Sequence, residues 1–198
     1  FTLAAPWLFG CQRGSSGSAP ATSEKAPRLV LPNSSSRPST GGTPAVCALT
    51  HDNIEGPYYR AGAPERADLT DPAFPGVLLD IEGRVFATDC SSGLSGVELD
   101  VWQANANGHY DNDGTMNLGG KLLLRGRVRT DGDGRYRVRT IVPGRYLNGS
   151  QYRPAHVHVK LRGKALTMLT TQLYFPDDPY NKIDPFIHPS LVMDVKKG

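Results

Sequence analysis

Beyond Ala45 the sequence never holds a helical period. Six short segments instead alternate apolar with polar residues, each closed by Gly, Pro, Asp or Asn: "VLLDIEGRVFA" (77–87), "GVELDVWQAN" (96–105), "LLLRGRVRT" (122–130), "GRYRVRTIV" (134–142), "AHVHVKLRG" (155–163) and "TMLTTQLYF" (167–175). A repeat of two sends alternate side chains to opposite faces of an extended chain, so each segment reads as a strand with one face for a core. The fold class this leaves is all-β, an antiparallel β-sandwich with long loops over residues 45–198. "RTDGDGRY" between the third and fourth segments reads as a hairpin turn in which Gly132 and Gly134 take positive φ. Arg125, Arg127 and Arg129 share one face of their strand, as do Arg135, Arg137 and Arg139, and both trios read as solvated outer faces.

The first 44 residues are different. "FTLAAPWLFGC" (1–11) is apolar up to Cys11 and resembles the end of an export signal, with "LFGC" similar to a lipoprotein box in which Cys11 is the lipidated residue. Residues 12–44 are rich in Ser, Gly, Pro and Thr, too poor in apolar surface to offset the entropy of ordering, and read as a flexible tether. Together they point to an exported, extracellular or surface-attached domain. In that compartment Cys47 and Cys90 form the natural disulfide pair; the alternative is two buried free thiols. A net charge of +3 on 198 residues, with no block of like charge, argues against a nucleic-acid partner. No apolar run is long enough to span a bilayer.

Two of the five histidines, His156 and His158, flank one valine in "RPAHVHV". On a strand both imidazoles lie on one side, close enough to share a metal ion, although a pair of surface histidines would have the same spacing. No HExxH, paired cysteines or calcium loop supplies further ligands; "YDNDGT" (110–115) and "TDGDG" (130–134) lack the spacing of a calcium loop and read as turns. Tyrosine remains. Tyr110 ends "VWQANANGHY" and Tyr146 ends "TIVPGRY", each at the end of a strand. Taken singly, each reads as a ring packed at the sandwich rim. Trp102 reads as a core residue, His109 as exposed, and His51 and His188 as loop residues without a role.

Taken in order, "VWQANANGHY", "GRVRTDGDGRYRVRTIVPGRY", "YRPAHVHVKL" and "TQLYF" resemble the intradiol ring-cleavage dioxygenases, the protocatechuate and catechol dioxygenases among them. "NIEGPYYRAGAP" is similar to a segment of the catechol and hydroxyquinol members. The resemblance covers residues 45 to about 195. It implies a β-sandwich holding one non-haem iron(III) through Tyr110, Tyr146, His156 and His158. It implies cleavage of catechol-type rings by O2 between the two hydroxyl-bearing carbons, giving muconate-type diacids. Tyr146 would be the ligand that substrate displaces and would accept a catechol proton. Arg153 would stabilise charge developing on the ring, and Gln172 would support Arg153. Gly56, Pro57 and Tyr58 become candidates for the pocket wall.

There are departures. "LNGSQYRP" (147–154) is short and lacks the Pro-Trp of protocatechuate enzymes, and the helical dimerisation segment of catechol dioxygenases is absent. The chain stops about where the family adds a last returning strand, and truncation is expected. A Cys47–Cys90 bridge would clamp the "NIEGPYY" segment to the sandwich. The competing reading is a non-catalytic β-sandwich module binding carbohydrate or peptide at a surface, which would not need the full set of Tyr110, Tyr146, His156, His158 and Arg153. A zinc hydrolase built on the His pair ranks behind both, because no acidic base lies near it.

Overall fold

A computed structural model describes residues 2–4, 8–9, 48–115, 118–164 and 166–196. Expectations that rest on the tether, Cys11 and Cys47 lie outside these residues. Cys90 is one half of a disulfide.

Two β-sheets pack face to face. In one, β3 (Leu78–Phe86) pairs antiparallel with β6 (Arg135–Ile141), placing Ile81 opposite Val138. Two short strands, β1 (Thr2–Ala4) and β2 (Leu8–Phe9), run parallel to β3, and β11 (Asp194–Lys196) lies antiparallel to β1. Residues 2–4 and 8–9, part of the segment read as the end of an export signal, run alongside β3. The other sheet is wholly antiparallel, in the order β10 (Leu169–Tyr174), β9 (His156–Arg162), β4 (Glu98–Gln103), β5 (Arg125–Arg129). A small hairpin, β7 (Leu147–Asn148) and β8 (Gln151–Tyr152), and two 3-10 turns complete the described chain, which holds no α-helix. Among the described residues no helix is long and apolar enough to cross a membrane.

The core lies between the sheets. Leu79, Ile81 and Val138 face Leu99, Val101, Val157, Val159, Leu161 and Leu173, all at most 2 % exposed. Each such side chain contributes about 1.5–3 kcal/mol on leaving water. Aligned sheets close over one another in this way when every strand contributes alternate residues to the interior.

Two expectations change. The turn at 130–134 is no hairpin within a sheet, because β5 pairs with β4 and β6 with β3: the chain crosses between sheets there. Thr130 is tied to the second sheet, accepting from the Val97 amide and donating to the Leu94 carbonyl, while the Gly134 carbonyl already accepts from Val85 in the first. Gly134 takes φ +79°, but Gly132 does not lie in the left-handed region. The arginine trios also differ from each other. Arg135, Arg137 and Arg139 are exposed, and Arg137 and Arg139 pair with Asp80. Arg125 is instead buried against Asp111, while Arg127 and Arg129 share Glu98. Loops cover the near end of the β5 trio, so exposure rises along it from buried Arg125 through half-buried Arg127 to exposed Arg129.

Candidate metal and substrate site

The same alternation that fills the core builds a second face. On β9, Val157, Val159 and Leu161 enter the sandwich, so His156, His158 and Lys160 stand on the opposite side. That side is not solvent; both histidines are 2 % exposed. Cross-strand register sets a row over it: Trp102 on β4 and Gln172 on β10 both lie opposite His158, and Tyr174 lies opposite His156.

Two loops bring the tyrosines over this row. Gly108 precedes Tyr110 by two residues, at φ +85°, and an added Cβ would run into the Arg145 carbonyl. The Gly144 amide donates to the Asn105 carbonyl at 2.8 Å. These contacts hold the loop before Tyr110 against the loop before Tyr146, which is why side chains far apart in sequence meet. Their rings stand edge to face with centroids 5.6 Å apart, and the Tyr146 ring lies 5.7 Å from that of His156. The Arg153 amide donates to the Tyr146 carbonyl at 2.9 Å, joining this loop to the start of β9.

Three donor atoms converge. His158 Nε2 is 3.2 Å from His156 Nε2 and 3.2 Å from the Tyr110 hydroxyl. His156 Nδ1 lies 2.6 Å from the Pro154 carbonyl, an acceptor only, so Nδ1 carries the proton and Nε2 presents a lone pair to the site. Burial, then the nearby Arg153 charge, lowers the His156 pKa to about 3. Burial, then His156, lowers that of His158 well below its ordinary value. Two neutral imidazoles thus face one another across a distance at which they have at most one proton to share. Nitrogens each about 2.0–2.1 Å from a common metal ion stand at such a separation. Burial, then Tyr146, raises the Tyr110 pKa, so its phenolate form requires a compensating cation. Among the described residues no three His, Cys, Asp or Glu side chains are placed to hold a metal ion together, so tyrosine must complete any ligand set here. The residues present fit a hard, highly charged transition-metal ion.

The surrounding residues fall into place around this cluster. Trp102 is buried as expected, but in a second hydrophobic cluster and not between the sheets, where it stacks on the His158 ring at 4.6 Å and 9°. Leu99 and Val101 set which parity of β4 faces the interior, and Trp102 has the other parity. Tyr58 stacks on Tyr110 at 4.4 Å and meets Tyr146 edge-on. A Cβ at Gly56 would sit 3.5 Å from His158 Cε1, so the backbone lies against the imidazole there. Pro57, between them, is exposed. This segment is fastened by an ion pair from Glu55 to the buried Lys160, whose ammonium also lies 3.8 Å from the Tyr59 ring centroid. His109 is exposed, as expected, and bonds Asp113. His51 and His188, read as lacking a role, stack on each other at 4.0 Å away from this cluster.

Arg153 and Gln172 meet as the sequence suggests. Arg153 Nη2 donates to Gln172 Oε1 at 3.0 Å, and Gln172 Nε2 donates to the Ile54 carbonyl at 2.8 Å. Sequence reasoning missed two partners. Asp184 takes Arg153 Nε at 2.7 Å, and the Tyr174 hydroxyl takes Nη2 at 2.9 Å. A pocket of about 190 Å³, lined by Arg153, Asp184, Phe186, Asn148 and Gln151, opens on this side.

The buried imidazoles predict an acid-sensitive fold. Their folded pKa values lie below the unfolded value of 6.5, so the unfolded chain takes up protons first and stability is lost as pH falls from 6.5 toward 3. At pH 5 this costs about 2 kcal/mol at His156, and His158 adds a loss of the same sign. The urea midpoint of metal-free protein is expected to be clearly lower at pH 5 than at pH 7; equal midpoints would contradict the burial described.

A family model described as Dioxygenase (Dioxygenase_C) matches residues 54–197. The chain is 35 % identical to catechol 1,2-dioxygenase 2 of Acinetobacter lwoffii over 71 % of its own length and 54 % of the relative's. It is 36 % identical to chlorocatechol 1,2-dioxygenase of Cupriavidus pinatubonensis over 70 % and 56 %. The chain thus spans about half the length of these curated relatives. Among solved structures it is similar to the dioxygenase domain of a dioxygenase–carbohydrate-binding protein fusion from Streptomyces sp. SirexAA-E. That match has 41 % identity and a TM-score of 0.66, covering 75 % of this chain and 89 % of that one. It is also similar to 3-chlorocatechol 1,2-dioxygenase of Rhodococcus opacus 1CP, with 32 % identity, a TM-score of 0.66, and coverage of 72 % and 64 %.

Proposed function

Since the chain belongs to the intradiol ring-cleavage dioxygenase family, we propose that it is a non-haem iron(III) dioxygenase acting on catechol-type aromatics. It would open the ring between the hydroxyl-bearing carbons and place both atoms of O2 in a muconate-type diacid. The carrying observation is the convergence of His156 Nε2, His158 Nε2 and the Tyr110 hydroxyl at 3.2 Å spacings, with the Tyr146 ring alongside.

Tyr110, Tyr146, His156 and His158 would hold the iron. When bound, ferric iron supplies Lewis acidity that lowers the pKa of catechol hydroxyls and draws electron density from the ring toward reaction with O2. The remaining steps belong to the protein. Pro154 fixes the His156 tautomer, and Trp102 holds the plane of His158, so both lone pairs keep their aim before substrate arrives. Tyr146, the more exposed of the two tyrosines at 8 % against 1 %, is the phenol that gives way to substrate and takes up a catechol proton. Arg153, its charge compensated by Asp184, donates a hydrogen bond where negative charge develops on the ring.

The test uses colour and oxygen together. Iron-loaded protein should absorb broadly in the visible through tyrosinate-to-iron(III) charge transfer, and anaerobic catechol should shift the band. Turnover under 18O2 should label the diacid product with two heavy atoms. An iron-replete, colourless and inert protein would instead support the non-catalytic binding module.

A further inference from the structure

We propose that Asp184 is the positioning residue that fixes Arg153 for the reaction, through a clamp that occupies every donor of the guanidinium except Nη1. This rests on the reading of the site as an intradiol dioxygenase centre. Arg153 Nε donates to Asp184 Oδ2 at 2.7 Å and Nη2 to Oδ1 at 3.2 Å, and Nη2 is shared further with Gln172 and Tyr174. The two side chains are 3 % and 0 % exposed, so neither is held by bulk water. Nη1 is buried and has no acceptor. A buried donor without a partner is uncommon and implies an absent one.

The clamp is itself rigid. Asp184 Oδ1 also accepts from the Phe186 amide at 2.8 Å, and the Asp184 amide donates to the Tyr180 carbonyl at 3.0 Å. Asn53 donates to the Phe186 carbonyl at 2.7 Å, pinning the same turn to the segment that covers the histidines. The Phe186 ring lies 4.8 Å from the guanidinium carbon and the Tyr146 ring 6.0 Å away. The planar fork is therefore fixed edge-on by one carboxylate and flanked by two rings, with its one spare nitrogen left for a ligand. A bidentate carboxylate fixes a guanidinium in plane as no single acceptor can. Asp184 touches no substrate in this scheme; it acts through Arg153.

Asp184→Asn keeps the size but loses the charge and one of the paired acceptors. The expected result is a kcat reduced by about 10–100-fold with KM within threefold of the parent and an unchanged visible band, because the four metal-ligand candidates are untouched. Asp184→Glu, which keeps the carboxylate one methylene further out, should recover part of that loss, and it replaces the Asn variant should that one not fold. A kcat within twofold of the parent, or a loss accompanied by loss of colour, would overturn the inference. An independent readout covers the case in which the parent itself is colourless and inert, which would sink the dioxygenase reading alone. The Arg153 Nε–H resonance should exchange slowly with solvent in the parent and rapidly in the Asn variant; fast exchange in the parent would show that no clamp exists.

Discussion

Replacing His158 with leucine is expected to cut ring cleavage by more than about a thousandfold, while making the metal-free protein less sensitive to acid. His158 is the hub of the cluster, 3.2 Å from both the other imidazole and the Tyr110 hydroxyl, so its loss removes the donor that ties the two together. The fold depends on it far less. Leucine matches the imidazole closely in volume, can pack against the Trp102 face, and strands no group bonded to Nδ1, which has no partner. At pH 7 the remaining cost is the Tyr110 hydroxyl and His156 Nε2 losing their shared neighbour, about 1–3 kcal/mol. Below pH 6.5 one of two proton-linked losses disappears, so the difference in urea midpoint between pH 7 and pH 5 should shrink. Activity assays and urea titrations at both pH values check the two halves separately. Retained turnover would remove His158 from the metal-ligand set; an unchanged pH response would remove it from the acid-sensitive core.

How far the sequence carried this picture depends on the type of signal. Period-two alternation is local and strong, so all six segments emerged as strands, with ends within three residues of those observed. The same period put His156 and His158 on one face. It carried the placement of Trp102 as well: Leu99 and Val101 define the core parity of β4, and Trp102 has the other. Residue type gave the burial of Trp102 correctly, while parity gave the face. Sheet assignment was not local. "RTDGDGRY" has the residues of a tight hairpin, yet Thr130 and Gly134 bond to different sheets, and only long-range pairing decides that. Arg125 looked like its neighbours Arg127 and Arg129 because nothing in a strand reports which loop will cover it; Asp111, beside Tyr110, does so. Asp184 was illegible for a related reason. It sits in a loop without a motif, and its meaning comes only from a buried arginine 31 residues earlier.

That arginine carries the other large effect. Arg153→Met should lower kcat by about 10²–10³, the loss seen when one donor to developing charge is removed. It should also destabilise the protein by about 3–5 kcal/mol, because Asp184 would remain buried with its charge uncompensated. The two losses have different origins and can be separated. In the double variant Arg153→Met/Asp184→Leu the stranded carboxylate is gone and apolar groups fill the space. Stability should return to within about 1–2 kcal/mol of the parent, since a buried ion pair contributes little net stability once its desolvation is counted. Turnover should not return at all, because the donor is still missing. Denaturant midpoints and single-turnover rates on the single and double variants make the comparison. If the double variant regained activity along with stability, Arg153 would be a structural residue and the negative charge on the ring would have to be met by another group. If neither returned, the Phe186 and Tyr174 contacts, and not the ion pair, would be what holds this side of the pocket together.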